Sequence, residues 1–450
     1  MYGHAKQLSQ ASLVLLAFIL LFPITVNSQQ RTPAQQHYQK GLELLKKGDL
    51  DGSIEALKKA ISLRPNEAEA HYYLGYALGI KGQLADAIVE LETAIRLNPE
   101  LGKAHYYLGA ARWFSKDVDG AIAALTNAVR LMPHDADSHY YLGLSLQKTG
   151  DLDEAIDSFR SAIRLRPNML HAYNDLGLAL MQKRDPDGAI AAFNEALKVD
   201  AGNLVAQLNL GMVLIQKGDY AAAVDQYRRI IVQAPDSAEA HYNLGLALKQ
   251  KDELAAAEIE LRKAIELQPR LHEAHYILGA VLMQQSKLED AAAALRRAID
   301  VKPDYPEAHF ALGTVMQQRG DFAGAVTALR QALVYAPNAP EIHNALGNAL
   351  RKTGDIESAR MEYEEAARLN KINSNQQAAM FATNTGLAKL KEGKLDEAIE
   401  ALQRAVQLDP TNAEAFYNLA KALQKKGQKA AARTAEQKAR KLNPRLKPLP

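Results

Sequence analysis

Hydrophobic and polar positions along this chain follow a helical period, punctuated at regular distances by glycine and proline. Between residues 68 and 101, Leu74, Gly75 and Leu78 share one face of a 3.6-residue pattern. Gly82 interrupts it, and Leu84, Ala87, Ile88, Leu91, Ala94 and Ile95 then form a second amphipathic stretch. Pro99 closes that stretch, because proline has no N–H to donate and its ring clashes with the preceding helical turn. The segment predicts a helix, a short turn and a second helix.

The same unit recurs every 34 residues, marked by Gly41, Gly75, Gly109, Gly143, Gly177, Gly211, Gly245, Gly279, Gly313 and Gly347. After a five-residue slip the series resumes at Gly386, and Ala420 takes the last beat. A fixed period in this range is the signature of one supersecondary unit stacked into a solenoid. Counted from Ala34, ten repeats fill residues 34–373, an insert occupies 374–378, and two further repeats fill 379–446. What lies outside is too short for a catalytic domain, which needs at least ~50 residues. Small residues recur where helices must approach closely. Position 8 is usually glycine; position 20 is alanine except at Ser53, and position 27 is alanine except at Ile230. The expected fold is an all-α solenoid of helix-turn-helix units.

With these positions written out, the unit resembles the tetratricopeptide repeat. That family places an aromatic residue at position 4, leucine at 7, glycine at 8, alanine at 20, an aromatic residue or leucine at 24, alanine at 27 and proline at 32. The fourth repeat carries Leu142, Gly143, Ala155, Phe159, Ala162 and Pro167, and the resemblance spans residues 34–446. It implies a right-handed superhelix of more than one turn whose concave groove binds peptides or partner domains. The departure is at position 4, where His71, His105, His139, His241, His275, His309 and His343 stand in place of the usual tryptophan. Equal positions on neighbouring helices lie roughly 8–10 Å apart, whereas zinc needs its ligands within ~2 Å of one ion. The histidines therefore read as packing residues with a polar tip, and no metal or cofactor site is expected.

The first residues have a different character. Lys6 is the only side chain of fixed charge before Arg31, and residues 11–26 form an uncharged, mostly apolar run of 16 residues. Such a run is too short for an ordinary ~20-residue membrane span. Val26, Asn27 and Ser28 offer small residues at the positions a signal peptidase accepts. We expect a secretory signal over residues 1–28, cleaved near Ser28, and a periplasmic or secreted mature chain beginning near Gln29. The alternative is an uncleaved membrane anchor. Cysteine is absent, which excludes disulfides, thiolate metal sites, a cysteine nucleophile and a lipid-modified cysteine. Basic and acidic residues balance at 54 to 52, so a net basic face for nucleic acid is not expected.

Binding candidates lie beside the core stripe of the first helices. Position 5 holds Tyr72, Tyr106, Tyr140, Tyr242, Tyr276, Phe310 and Tyr417, and repeat three adds Trp113 and Phe114. Such rings combine large contact area with little entropy loss, which suits recognition. At position 6, Asn209 and Asn243 follow one another, as do Asn384 and Asn418, and an amide can pair with a peptide backbone. This is similar to a broken form of the asparagine ladder in the repeat half of the N-acetylglucosaminyl transferase that modifies proteins. Ile277, Ala311 and Ala345 interrupt it here. No repeat has the position-5 lysine of a carboxylate clamp. The expected binding residues are thus Tyr72, Tyr106, Trp113, Phe114, Tyr140, Asn209 and Asn243.

Two places break the rhythm. Repeat five has Arg184 where glycine is common, followed by Pro186, and ends in Ala201 and Gly202. Repeat ten has Lys371 in place of proline, and the insert after it is expected to be a boundary. Lys429, Glu436 and Arg440 replace apolar residues on the last helix, which predicts a solvent-facing cap at the end of the array. The leading function is an exported, non-catalytic scaffold binding proteins or peptides in the cell envelope, without small-molecule substrate or nucleic acid. The alternatives are a specificity or adaptor subunit of a separately encoded enzyme such as a glycosyltransferase, and a self-associating structural superhelix.

Overall fold

The structure is a computed structural model, and it describes residues 32–449. The expected signal segment, residues 1–28, lies outside the described residues. The chain forms two compact units that divide after Pro235. The first contains α1 (Pro33–Lys46), α2 (Leu50–Leu63), α3 (Ala68–Ile80), α4 (Leu84–Leu97), α5 (Gly102–Phe114), α6 (Val118–Leu131), α7 (Ala136–Thr149), α8 (Leu152–Leu165), α9 (Leu170–Gln182), α10 (Pro186–Val199), α11 (Leu204–Lys217) and α12 (Tyr220–Gln233). The second contains α13 (Ala238–Gln250), α14 (Leu254–Leu267), α15 (His272–Gln284), α16 (Leu288–Val301), α17 (Pro306–Gln318), α18 (Phe322–Tyr335), α19 (Pro340–Thr353), α20 (Ile356–Lys391), α21 (Leu395–Leu408), α22 (Ala413–Lys425) and α23 (Lys429–Leu442). Among the described residues there is no strand. In each unit the helices pair within a repeat and stack on the next pair, as the 34-residue period requires.

Position 8 shows why glycine is needed. A Cβ on Gly75 would stand 2.6 Å from Leu91 Cγ, and one on Gly143 would stand 2.8 Å from the ring of Phe159. Leu91 and Phe159 both occupy position 24 and are fully enclosed. The glycine is therefore the socket for the position-24 side chain of its own repeat. In the first unit Phe159, Phe193, Ile156, Leu176, Leu180 and Val213 form one continuous cluster. In the second, Leu329, Leu346, Leu350 and Ile342 do the same.

The turn between paired helices passes through a left-handed residue at position 15. Gly48, Gly82, Gly150, Gly218, Gly320, Gly354, Gly393 and Gly427 have φ from 77° to 92°. Lys116, Arg184, Asp252 and Ser286 take the same conformation with φ from 60° to 68°. Arg184 therefore bends the chain as glycine would, against the steric cost of its Cβ. An aspartate next to this turn caps many of the second helices. Asp49, Asp117, Asp185, Asp219, Asp321 and Asp355 each accept a hydrogen bond from a backbone N–H three residues on. Successive repeats are also joined by ion pairs thirty residues apart. Lys217 meets Asp187 at 2.6 Å and Arg319 meets Glu289 at 2.9 Å, while Lys81 with Asp51, Lys183 with Asp153 and Lys426 with Asp396 repeat the arrangement.

The expected break at the insert is absent. The second helix of repeat ten, residues 374–378 and the first helix of repeat eleven are all parts of α20, 36 residues without interruption. Lys371 replaces the proline that ends other second helices, and residues 371–379 contain neither glycine nor proline. Nothing in that stretch stops a helix once it has begun. The two halves of α20 are buried by different neighbours, through Ala359, Ala366 and Leu369 first and Ala379, Thr383 and Gly386 later.

Candidate functional site

The position-4 histidines are held by the turn that precedes each repeat. The Nε2 atoms of His71, His105, His139, His275, His309 and His343 lie 2.8–3.1 Å from the carbonyl oxygens of Pro65, Pro99, Pro133, Pro269, Pro303 and Pro337. Where repeat six has glutamine instead, Gln207 Nε2 donates to the Ala201 carbonyl at 2.8 Å. The Nδ1 atoms of His71, His241 and His343 lie 2.6 Å from Glu90, Glu260 and Glu362. These imidazoles close the inter-repeat turn. Among the described residues no group of histidines and carboxylates is arranged to hold a metal ion.

The rings of repeats one to four form a continuous file. Tyr38 meets Tyr73 with ring centroids 6.0 Å apart, Tyr73 meets Tyr72 at 4.6 Å, and Tyr72 meets Tyr107 at 5.9 Å. The file continues through Tyr106 at 4.8 Å from Tyr107, Tyr141 at 6.0 Å and Tyr140 at 5.5 Å, and ends on His171 at 4.5 Å. Position 5 of one repeat thus contacts position 6 of the next, which in turn contacts its own position 5. Tyr76 adds a ring 4.6 Å from Tyr107, and Phe114 one 6.2 Å from Tyr141. Edge-on and tilted contacts of this kind are the favoured geometry of ring quadrupoles.

The file is less open than position 5 alone suggests. Tyr72 is only 7% exposed and packs with Leu91, Ala94, Ala104 and Leu108, so it is a core residue and offers no free face to a ligand. Tyr106, Tyr140 and Trp113 are partly buried, and Phe114 is 38% exposed. The Tyr140 hydroxyl donates to Asp175 Oδ2 at 2.7 Å. Burial, then the Asp137 carboxylate, pushes the Tyr141 phenol up to about 12. Burial raises the Tyr106, Tyr107 and Tyr140 phenols further, with Asp175 adding to the effect at Tyr140. Burial likewise depresses His171 at the end of the file. All of these phenols are neutral at ordinary pH and present hydroxyls, not charges.

Asn209 lies on α11 in the first unit and is partly buried, whereas Asn243 lies on α13 in the second and is buried. Asn243 is therefore enclosed rather than offered to a peptide. Tyr73, Tyr107 and Tyr141, at the same position, were missed as site residues. The signal that marks them is the tyrosine doublet recurring at 72–73, 106–107 and 140–141.

Models of the tetratricopeptide repeat match residues 41–79, 81–169 and 386–445 of this chain. The model of the cilia- and flagella-associated protein 70 C-terminal domain matches residues 167–383. No curated protein matches the chain. Among solved structures, the MamA protein is 32% identical over 38% of this chain and 92% of its own, with a TM-score of 0.36. YrrB, described as a TPR protein with an unusual peptide-binding site, is 24% identical over 42% of this chain and 97% of its own, with a TM-score of 0.35. A tetratricopeptide repeat protein from Parabacteroides merdae is 16% identical over 64% of this chain and all of its own, with a TM-score of 0.41.

Proposed function

Since the chain belongs to the tetratricopeptide-repeat family, we propose that it is a non-catalytic scaffold that binds a peptide or protein segment along the first helices of repeats two to four. The observation that carries this reading is the ring file from Tyr38 to Tyr140, with Phe114 at its edge. Partly buried rings held by their neighbours are rigid, so a ligand that covers them loses little further entropy. Neutral hydroxyls at the margin accept or donate hydrogen bonds without the desolvation cost of charges. We further propose that the scaffold acts in the cell envelope, on the ground of the apolar run and the small residues before Gln29.

The test is site-specific photocrosslinking in the native host, with the probe placed at Trp113 or Phe114 and, for comparison, at Val232 on a second helix. Adducts to one protein from the first pair, absent from the second, support the reading. Equal labelling from both places, or none from the first pair, overturns it.

A further inference from the structure

Three repeats give the position-4 histidine a carboxylate, and repeat nine leaves its place empty beside an unpaired cation. In repeats two, seven and ten, position 23 brings Glu90, Glu260 and Glu362 to 2.6 Å from the histidine Nδ1. Position 25 of the repeat before each is basic: Lys58, Arg228 and Arg330. Repeat nine keeps the histidine, His309, and the preceding cation, Arg296, but has Ala328 at position 23. His309 Nε2 lies 2.8 Å from the Pro303 carbonyl oxygen, a contact that repeats two and ten share. A carbonyl oxygen only accepts, so Nε2 carries the proton and Nδ1 is turned to the side where those repeats have glutamate. Among the described residues Nδ1 of His309 has no hydrogen-bond partner, although the residue is only 8% exposed.

An open cleft of about 440 Å³ occupies that side. Ile299 of α16, Leu312 and Met316 of α17 and Ala328 of α18 give it apolar walls, and His309 and Arg296 also line it. Asp300 lies on the same lining but is paired with Arg297 at 3.5 Å, whereas Arg296 has no ion-pair partner among the described residues. Repeats three, four and eight also lack the glutamate, with Ala124, Ser158 and Ala294 in its place. Repeats three and four have no cation before them, because Glu92 and Thr126 stand at position 25, and Arg262 before repeat eight is bound to Glu258. Among the described residues an unpartnered imidazole nitrogen and an unpaired guanidinium share a recess at repeat nine alone.

We propose that this cleft is a binding site for a small organic carboxylate with a compact apolar body. The carboxylate takes the place of the missing glutamate: it shares a proton with His309 Nδ1, and its charge faces Arg296. The apolar body covers Ile299, Leu312 and Met316, which an inorganic anion would leave bare. The enclosure of His309 admits a slender group, and the cleft has the size of a small-molecule site. The site is separate from the tyrosine file of the first unit and does not depend on the peptide-binding reading.

The test uses the full chain with isotope-labelled methionine methyl groups, so that Met316 reports from inside the cleft in the NMR spectrum; Met316→Leu assigns its signal. The probe is 4-methylpentanoate, with 4-methylpentanamide as an uncharged counterpart of the same shape. The carboxylate should shift the Met316 signal in a saturable way. The amide should bind at least about tenfold more weakly, because it forgoes a hydrogen bond between charged groups. Arg296→Gln should weaken binding of the carboxylate about two- to fivefold, the range of an exposed ion pair. Ala328→Glu supplies the missing side chain from the chain itself, and should abolish binding while the helical circular dichroism is preserved. Inorganic phosphate should leave the Met316 signal in place. No shift with the carboxylate, an equal shift with the amide or with phosphate, or undiminished binding by a folded Ala328→Glu chain would each overturn the proposal.

Discussion

His71 Nε2 lies 2.8 Å from the carbonyl oxygen of Pro65, six residues upstream across the turn that joins the first two repeats. His105 makes the equivalent contact with Pro99 at 2.9 Å, but only His71 adds a carboxylate, Glu90, at 2.6 Å from Nδ1. His71→Ala should therefore destabilise the protein more than His105→Ala, by about 1 kcal/mol, the net worth of one further hydrogen bond. Denaturant titration of the two variants measures the difference. Equal losses would mean that the Glu90 contact contributes nothing.

Gly75 is the socket for Leu91, and an added Cβ would stand 2.6 Å from Leu91 Cγ. Gly75→Ala should lower stability by about 1–3 kcal/mol through overpacking. Adding Leu91→Ala to it should cost less than the sum of the single changes, because the smaller side chain makes room for the methyl group. Strict additivity would remove the socket from the explanation.

Arg184 has φ of 62° where most repeats have glycine in the same turn. A left-handed non-glycine residue is strained by roughly 1–2 kcal/mol, and glycine gives back part of that gain as chain entropy. Arg184→Gly should raise stability by up to about 1 kcal/mol, with hydrogen exchange slowed around residues 180–190. A lower melting temperature would contradict this.

The buried phenols of repeats three and four make the fold sensitive to alkali. Below pH 10, the ordinary value for tyrosine, they are protonated in folded and unfolded chains alike and add no pH dependence. From there to about 12, where Tyr141 ionises when folded, the unfolded chain gives up protons that the folded chain retains. Stability must then fall as pH rises. Tyrosinate absorbance and helical circular dichroism should consequently change together in that window. Ionisation near pH 10 with intact helicity would show that the rings are solvated.

The repeat, its small-residue positions and the helix pairs were legible in the chain because each depends on local spacing. The glycine at position 8 and the large residue at position 24 belong to one repeat, so one period contains both halves of the contact. Tyr72 was harder to place. A 3.6-residue pattern says which side of its helix it occupies, but not how far α5 covers it. Asn243 was misread for the same reason. The continuity of α20 had a signal that went unused: Lys371 and the absence of any helix breaker through residue 379. A five-residue slip in register was taken for an interruption of structure, although a helix can absorb five residues by rotating the next buried face.

That rotation has a mechanical consequence. Elsewhere in the second unit, as between α18 and α19, a short non-helical link gives successive repeats a joint at which one can swing or open while the other holds. Repeats ten and eleven share a rod about 54 Å long at the rise of an ordinary helix. Strain applied to one passes along that rod into the other, and a cut between them severs a helix instead of trimming a loop. Counted by sequence they are two modules; under load they are one girder.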